Sequence, residues 1–464
     1  MNATPNTDIA QQVAHVRDGF DQGVTKPYAW RREQLQALDR LVADNEAALC
    51  AAIHADLRKH PHEAYTTELA IVRAEIAHTL KHLKGWLKPR TVKPSLAVLP
   101  ARAYTVLEPL GVALIIAPWN YPVQLLLAPM VGALAAGNAV VVKPSEIAAH
   151  TSSLLADLIP KYLDPRAVVV VEGGVPETTE LLEQRFDHIF YTGNGTVGRI
   201  VMTAAAQHLT PVTLELGGKS PVFVDDTQDI DLVAARIAWG KFVNAGQTCV
   251  APDYVLATPS VARDLAHAIA RVVERMYGPD PKSSQDYGRV INERQFDRLS
   301  AYLGSENGET ITGGQVSRED LYIAPTVLFG TSPDAPVMQE EIFGPILPIV
   351  TVRDAAEAIS YVRGGDKPLA LYVFSDRREV RRAFLRDTSS GALTFGLPVA
   401  HLAIPDLPFG GVGESGMGSY HGKRSIEVFS HEKSVVSKPL TPDTMALIYP
   451  PFEEGKSTIL RKLL

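Results

Sequence analysis

Apolar positions in the first ninety residues recur at helical spacing. In "REQLQALDRLVADNEAALCAAIHADL", Leu35, Leu38, Leu41, Val42 and Leu49 fall on one face, the stripe expected of helices packed on a core. The pattern predicts helices from residue 8 to about 88, with Cys50 continuing the helix that carries Leu35. From residue 111 the character changes. Short runs of Val, Ile and Leu ("GVALIIA", "AVVVKP", "AVVVV", "DHIFYT") alternate with helical segments after Pro122, near 149–160, near 176–184 and after 196. Continuous apolar runs, rather than apolar/polar alternation, mark strands buried on both faces, so this stretch predicts a parallel sheet covered by helices. A second set, "KSPVFVDD", "PDYVLAT", "LPIVTV", "LALYVFS" and "GALTF", is interleaved with helices 229–243, 260–276 and 377–386 and predicts a second α/β unit. From about 405 the chain is Gly-rich and then loses periodicity, as expected of a tail that packs on another surface.

One segment, "GVALIIAPWNYPVQLLLAPMVGALAAGNAVVVKP", is apolar enough to imitate a membrane span. Pro118, Asn120, Pro122, Gln124, Pro129 and Asn138 cut it into pieces shorter than the roughly 20 residues a span requires. It reads as strand, helix, strand, and the terminal "STILRKLL" is too short and charged to act as an anchor. The length of 464 residues suggests two or three domains, and 46% apolar residues allows a large core. A net charge of −7 without a long basic run argues against nucleic acid as a partner. The polar start "MNATPNTDIAQQV" lacks the basic and apolar regions of a secretory leader. Cys50 and Cys249 are the two cysteines, which build no disulfide framework and make a reducing cytoplasm the expected setting.

Candidate chemistry starts with Cys249 in "NAGQTCVAP", set among small and polar residues although a free cysteine is most often a small core hydrophobe. After "DHIFYT" comes "GNGTVG", in which Gly193, Gly195 and Gly198 match G-x-G-x-x-G, with Glu215 about twenty residues on. A simple dinucleotide fingerprint would follow the first strand of its sheet, whereas this one follows about the fourth, and Glu215 ends its own strand in "LELGG". What remains is a helix N-terminus with free N–H groups, suited to an anion. No His/Cys cluster has metal-ligand spacing, and no metal site is expected.

The stretches "APWNYP", "VVVKPSE", "FYTGNGTVG", "LELGGKSP", "GQTCVAP", "EEIFGP" and "PFGGVGESGMGSYHGK", in this order, resemble the aldehyde dehydrogenase superfamily, in particular its class 3 branch of fatty, aromatic and coniferyl aldehyde dehydrogenases. The resemblance covers essentially the whole chain. It implies an α/β, aldehyde dehydrogenase-like fold: N-terminal helices and a modified Rossmann cofactor domain over 1–217, a catalytic α/β domain over 218–400, and a return segment, bridging strand and tail over 401–464. A small bridging and oligomerisation part would combine the tail with a strand pair near 95–110. The implied reaction is NAD(P)-dependent oxidation of an aldehyde, of medium or long aliphatic chain or aromatic, to a carboxylic acid through a thiohemiacetal and thioester. The alternatives are an acyl-transferring or reductive enzyme on the same scaffold, or a non-catalytic binding protein.

By the same resemblance Cys249 is the nucleophile, Glu215 the base that activates water, and the Asn120 amide, with the Cys249 backbone N–H, the oxyanion donor. Lys143 and Glu146 match contacts to the adenosine ribose, with Glu146 leaning toward NAD while NADP stays possible. Gly193 and Gly198 border the pyrophosphate, and Trp119, Glu341 and Phe343 complete the cofactor set. The family's Ser after Gly193 is Asn194 here, and its Asn–Asp strand end is Phe395 and Gly396. His421 matches a histidine of the branch and is expected to support the site from behind. The branch implies a homodimer.

Overall fold

The computed structural model describes residues 8–452 and 454–463. The first seven residues, on which the leader argument partly rests, and the last residue of "STILRKLL" lie outside the described residues. Helices α1 (Ile9–Asp21), α2 (Tyr28–Asp44), α3 (Glu46–Leu57), α4 (Pro61–Ala64) and α5 (Ala70–Trp86) form the N-terminal layer. Leu35, Leu38, Leu41, Val42 and Leu49 are fully buried in it. One expectation is corrected: Cys50 does not continue the helix of Leu35. The chain breaks at Asn45, whose side-chain amide donates to the Leu41 carbonyl at 2.9 Å and whose φ of −115° and ψ of 18° leave the helical region. Such side-chain-to-backbone bonding competes with helix continuation. Between α4 and α5 the chain makes a π-helical turn, Tyr65–Leu69.

Strands β1 (Arg90–Val92) and β2 (Arg102–Pro109) precede the first large sheet, built from β3 (Val112–Ile116), β4 (Ala139–Lys143), β5 (Val168–Val170), β6 (His188–Thr192) and β7 (Val212–Glu215). Helices α6 (Gln124–Ala136), α7 (Ala149–Tyr162), α8 (Val175–Glu183) and α9 (Gly195–Ala206) connect them. The second sheet contains β8 (Pro221–Val224), β9 (Tyr254–Ala257) and β10 (Glu309–Thr312). After a two-stranded ribbon of β11 (Val316–Ser317) and β12 (Tyr322–Ile323) it adds β13 (Thr326–Phe329), β14 (Ile346–Thr351), β15 (Ala370–Phe374) and β16 (Ala392–Phe395). The tail supplies β17 (Gly416–Met417) and β18 (Ser430–Ser437).

The first sheet has the order β17-β7-β6-β3-β4-β5 and the second β10-β13-β14-β9-β8-β15-β16; only the edge strands β17 and β10 run antiparallel to their neighbours. Every residue of β3, β4 and β6 is buried, as expected of strands covered on both faces. From β3 the chain winds outward to β4 and β5, then returns to lay β6 and β7 on the other side. The C-terminal ends of β3 and β6 therefore flank a topological switch point, where α/β sheets open a crevice.

The strand pair expected near 95–110 is also corrected. Residues 96–98 form a short 3-10 turn, and β2 pairs with β1 and, from Arg102↔Ser437 to Pro109↔Ser430, with β18 in a three-stranded antiparallel sheet. The apolar segment that imitates a span folds as β3, α6 and β4. Among the described residues no helix is long and apolar enough to cross a membrane.

Candidate active site

Cys249 follows a knotted turn. Helix α10 (Ile230–Phe242) is followed by Asn244, Ala245 and Gly246 in succession with φ of 54°, 50° and 74°. Left-handed backbone at non-glycine residues is costly and persists only where its surroundings enforce it. The enforcement is visible. The Asn244 N–H donates to Glu63 Oε1 at 2.9 Å, and its side-chain amide donates to the carbonyls of Asn120 at 2.8 Å and Gln247 at 3.1 Å. Gln247 donates to the carbonyls of Asn244 and Arg289, both at 2.9 Å, and accepts from the Ile291 N–H at 3.0 Å. A side chain at Gly246 would collide with the Gly344 carbonyl. Beyond the turn, the Thr248 hydroxyl lies 2.6 Å from that of Tyr121, and Tyr372 donates to the Val250 carbonyl at 2.5 Å.

The thiol so presented is half-buried. Burial pushes it well above its ordinary pKa, and the charges of Glu341 and Glu215 push the same way, while the backbone N–H groups of Cys249 and Val250 oppose them. Asn120 leaves the end of β3 and is buried; its Nδ2 donates to the Gln247 carbonyl at 3.0 Å. A primary amide has two N–H donors, so a second is available beside the Cys249 loop. Glu215, the last residue of β7, is 3% exposed, and neither carboxyl oxygen has a hydrogen-bond partner. Burial alone holds it well above the usual carboxylate range. The structure thus brings Asn120, Glu215 and Cys249 to one place from β3, β7 and the loop after α10.

The remaining candidates fall into two groups. At the end of β4, buried Lys143 donates to Glu146, whose side chain is 44% exposed, at 2.6 Å. The Trp119 ring meets Phe343 edge-on at 5.4 Å, and the Glu341 carboxylate, whose charge acts on the thiol, occupies the space a Gly217 side chain would need. Burial, reinforced by Asp253, raises Glu341 to about 8, against a bond from the Gly218 N–H. The Glu341 segment is pinned: Lys219 donates to the Glu340 carbonyl at 2.8 Å and pairs with Asp253 at 2.6 Å, and Asp253 accepts the Ile342 N–H at 2.9 Å. Asn194, Gly195, Gly217, Gly218 and Glu341 line a cleft of about 1070 Å³.

The glycines have packing reasons of their own. A side chain on Gly193 would meet the Tyr191 hydroxyl, and one on Gly198 would press on Leu216. Asn194, where the family has Ser, caps α9 by accepting the Val197 N–H at 3.0 Å, a task Asn and Ser perform equally well. Phe395 lies under the Arg381 guanidinium at 5.4 Å, and the carbonyl of Gly396 accepts from Arg236 at 2.6 Å. His421 stacks on Phe409 at 5.6 Å, and burial, with His401 nearby, lowers it to about 4. Sequence reasoning missed Tyr121, Asn244 and Gln247 beside the candidate residues, and Lys59, Glu63, Glu68 and Tyr372, which reach the site from distant segments. It also missed Lys241 in α10, fully buried, without a hydrogen-bond partner and lowered by burial to about 8.

Two largely parallel sheets, with an amide donor and a carboxyl from the first set near a cysteine loop from the second, define an α/β oxidoreductase fold built around a thiol. The chain belongs to the aldehyde dehydrogenase family, whose model matches residues 1–435. It is 48% identical over 446 residues to the rat "aldehyde dehydrogenase, dimeric NADP-preferring", covering 96% of this chain and 98% of that one. Human aldehyde dehydrogenase family 3 member B1 is 49% identical over 444 residues, covering 96% and 94%. These relatives set the chain on the class 3 branch. A substrate-bound structure of Staphylococcus aureus AldH superposes with a TM-score of 0.95 at 41% identity, covering 98% of this chain and 99% of that one.

Proposed function

We propose that this protein oxidises aldehydes to carboxylic acids with NAD or NADP through a thioester on Cys249. The observation that carries the reading is that the Asn120 amide bonds the Gln247 carbonyl in the loop that carries Cys249, while the unpartnered Glu215 carboxyl lies close enough for its charge to act on the thiol. The Cys249 thiol, held protonated by burial, gives its proton to solvent water, and Sγ as thiolate attacks the carbonyl carbon; a C–S bond forms and the carbonyl π electrons move to oxygen. The second N–H of Asn120 and the Cys249 backbone N–H receive that oxyanion, and one such donor is worth about 3 kcal/mol. A bound dinucleotide supplies the hydride acceptor. Glu215 then takes a proton from the water that attacks the thioester carbon; the C–S bond breaks, releasing acid and thiolate. A base whose carboxyl is raised by burial is matched to proton transfer near neutral pH.

The residues present fit a dinucleotide. The N-terminus of α9 lies beside the cleft, where Asn194 and Gly195 line it. Trp119, Glu341 and Phe343 would hold the nicotinamide end, and Lys143 and Glu146 the adenosine ribose. Because Glu146 is already paired with Lys143, its repulsion of a 2′-phosphate is partly neutralised. The protein prefers NAD by about tenfold, ~1.4 kcal/mol, and still uses NADP, the cofactor named for the rat relative. Its working form is a cytoplasmic homodimer, the dimer supported by the name of the same relative. Residues 1–217 act as cofactor domain, 218–400 as catalytic domain and 401–464 as the returning tail. The substrates are medium- or long-chain aliphatic and aromatic aldehydes. Arg236 ties α10 to the turn at Gly396, and exposed Trp239 on α10 and Leu397 in that turn support an apolar approach. A panel of aliphatic and aromatic aldehydes, assayed with each cofactor at the reduced-nicotinamide absorbance band, tests this; failure to form carboxylic acid from any of them would overturn it.

A further inference from the structure

The turn that carries Asn120 is gripped by a charge pair from a different part of the chain. Lys59 and Glu68 are fully buried and bonded to each other at 2.7 Å. Lys59 Nζ also donates to the Asn120 carbonyl at 2.9 Å and lies 3.8 Å from the centre of the Tyr121 ring. The other Glu68 oxygen accepts the N–H groups of Val123 at 2.9 Å and Gln124 at 3.3 Å. These N–H groups open α6, which has no cap from its own sequence, so Glu68 serves as the missing N-terminal acceptor. The pair therefore brackets Trp119–Gln124: a cation on the Asn120 carbonyl, an anion on the helix start three residues later. Glu68 reaches this position from the π-helical turn Tyr65–Leu69, a local departure from regular helix that is frequent at functional sites.

We propose that Lys59 and Glu68 are positioning residues for aldehyde oxidation. They fix the Asn120 amide toward the oxyanion. Through the Asn120 carbonyl, which also accepts from Asn244, they fix the left-handed turn that presents Cys249. A buried ion pair is a weak source of stability, because desolvation offsets its attraction. Its retention beneath the amide donor is explained by geometry rather than by folding energy. The inference rests on the reading of Asn120 as oxyanion donor.

The test separates stability from positioning. Removing one charge leaves the other buried and alone, so Lys59→Met and Glu68→Leu singly are expected to melt early or not to fold. The double variant removes both charges. It is expected to melt within a few degrees of wild type and to bind NAD with unchanged affinity by calorimetry. Its pre-steady-state burst of reduced cofactor at saturating aldehyde should still slow by about 30-fold or more, with KM changed by less than about threefold. Wild-type burst rate in the double variant overturns the proposal, as does slowing matched by equal losses of melting temperature and NAD affinity. If the double variant does not fold, Glu68→Asp decides: it keeps the charge but withdraws it by one methylene, and should slow the burst by about tenfold. A wild-type burst there also overturns the proposal. Asn120→Ala marks the failure of the underlying reading: an unchanged burst in that variant refutes the role of Asn120 itself. With Asn120→Ala slow, adding the double change should slow it by less than it slows wild type, because the amide route is already lost and only the route through the residue-120 backbone carbonyl to the Cys249 turn remains.

Discussion

Two faces of the site treat buried charge in opposite ways. On the N-terminal helical face, Lys59 and Glu68 are wholly buried and wholly bonded. On the other face, Glu215 at the end of β7 and Lys241 in α10 are also buried, and neither has a hydrogen-bond partner. Burial raises Glu215 and lowers Lys241 to about 8, and it raises Glu341 to about 8 against the single bond from Gly218. A satisfied network rigidifies, whereas an unpaired ionisable group keeps its proton mobile. The difference matches the proposed division of labour: the paired charges hold atoms in place, and the unpartnered Glu215 carboxyl is the group proposed to take a proton from water.

The comparison breaks most sharply at Cys249, which stands between the faces. Cys249→Ala is expected to reduce aldehyde oxidation by roughly 10⁴-fold or more while cofactor affinity stays within about twofold. Retention of more than about a hundredth of wild-type turnover removes the thiol from the mechanism.

Glu215→Gln tests the unpaired face. Steady-state turnover should fall by about 10²- to 10³-fold with the first burst of reduced cofactor preserved, because the base acts on the deacylating water. Equal slowing of burst and steady state counts against that split. A stability readout accompanies it. The folded carboxyl sits above its ordinary 4.5, so the folded state holds a proton that the unfolded chain releases. Its contribution to stability is fully present below about pH 4.5 and is lost as pH rises toward the folded value. Glu215→Gln should flatten that part of the decline in melting temperature above pH 5; an unaltered slope means that the carboxyl is ionised in the folded protein.

Glu341→Gln should produce a smaller change, confined to pH. With Glu341 near 8, its carboxylate becomes a two-oxygen acceptor for ribose hydroxyls only as pH rises through that value. Wild-type NAD affinity is expected to strengthen by about threefold to tenfold between pH 7 and 9, and the variant to stay flat. Parallel pH profiles in calorimetric titrations would separate Glu341 from the cofactor.

These contrasts also explain what was legible beforehand. Continuous apolar strands and striped helices made both sheets and the N-terminal layer readable, since burial on two faces leaves no polar positions in β3, β4 and β6. Strand β10, with the half-exposed residues "ETIT", carries no such signal. Lys143 and Glu215 could be placed at strand ends because the strand-forming runs before them fold as β4 and β7. Lys59 and Glu68 were not readable: in sequence they are ordinary charges, and their burial comes from the fold, which sets the loop between α3 and α4 and the π-helical turn against the turn at Asn120. Asn45 shows the same limit on a smaller scale, since one side-chain bond to Leu41 interrupts a stripe whose apolar spacing continues unbroken.

The smallest expected effect lies at the one pair that belongs to neither face. Lys143 is buried and Glu146 is half open to solvent, joined at 2.6 Å. A pair open on one side is screened by salt and held by less desolvation, so its energetic influence is small. On the proposed reading, Glu146 would accept from the ribose hydroxyls of NAD, and the 2′-phosphate of NADP would have to displace it from Lys143, exchanging one anion for another on the same ammonium. The cost would be the repulsion not cancelled by that exchange, so the expected preference is about tenfold rather than absolute. Glu146→Gln removes the repulsion, keeps one acceptor and frees Lys143, so the NADP/NAD affinity ratio should rise by about three- to tenfold at low salt and by less at 0.5 M salt, about where screening reaches contact distances. Dissociation constants for both cofactors, measured for wild type and variant at the two salt concentrations, decide the matter: an unchanged ratio at low salt means that Glu146 does not face the 2′ position. A ratio that rises without any salt dependence would mean that the pair is buried by the bound cofactor and belongs with Lys59 and Glu68.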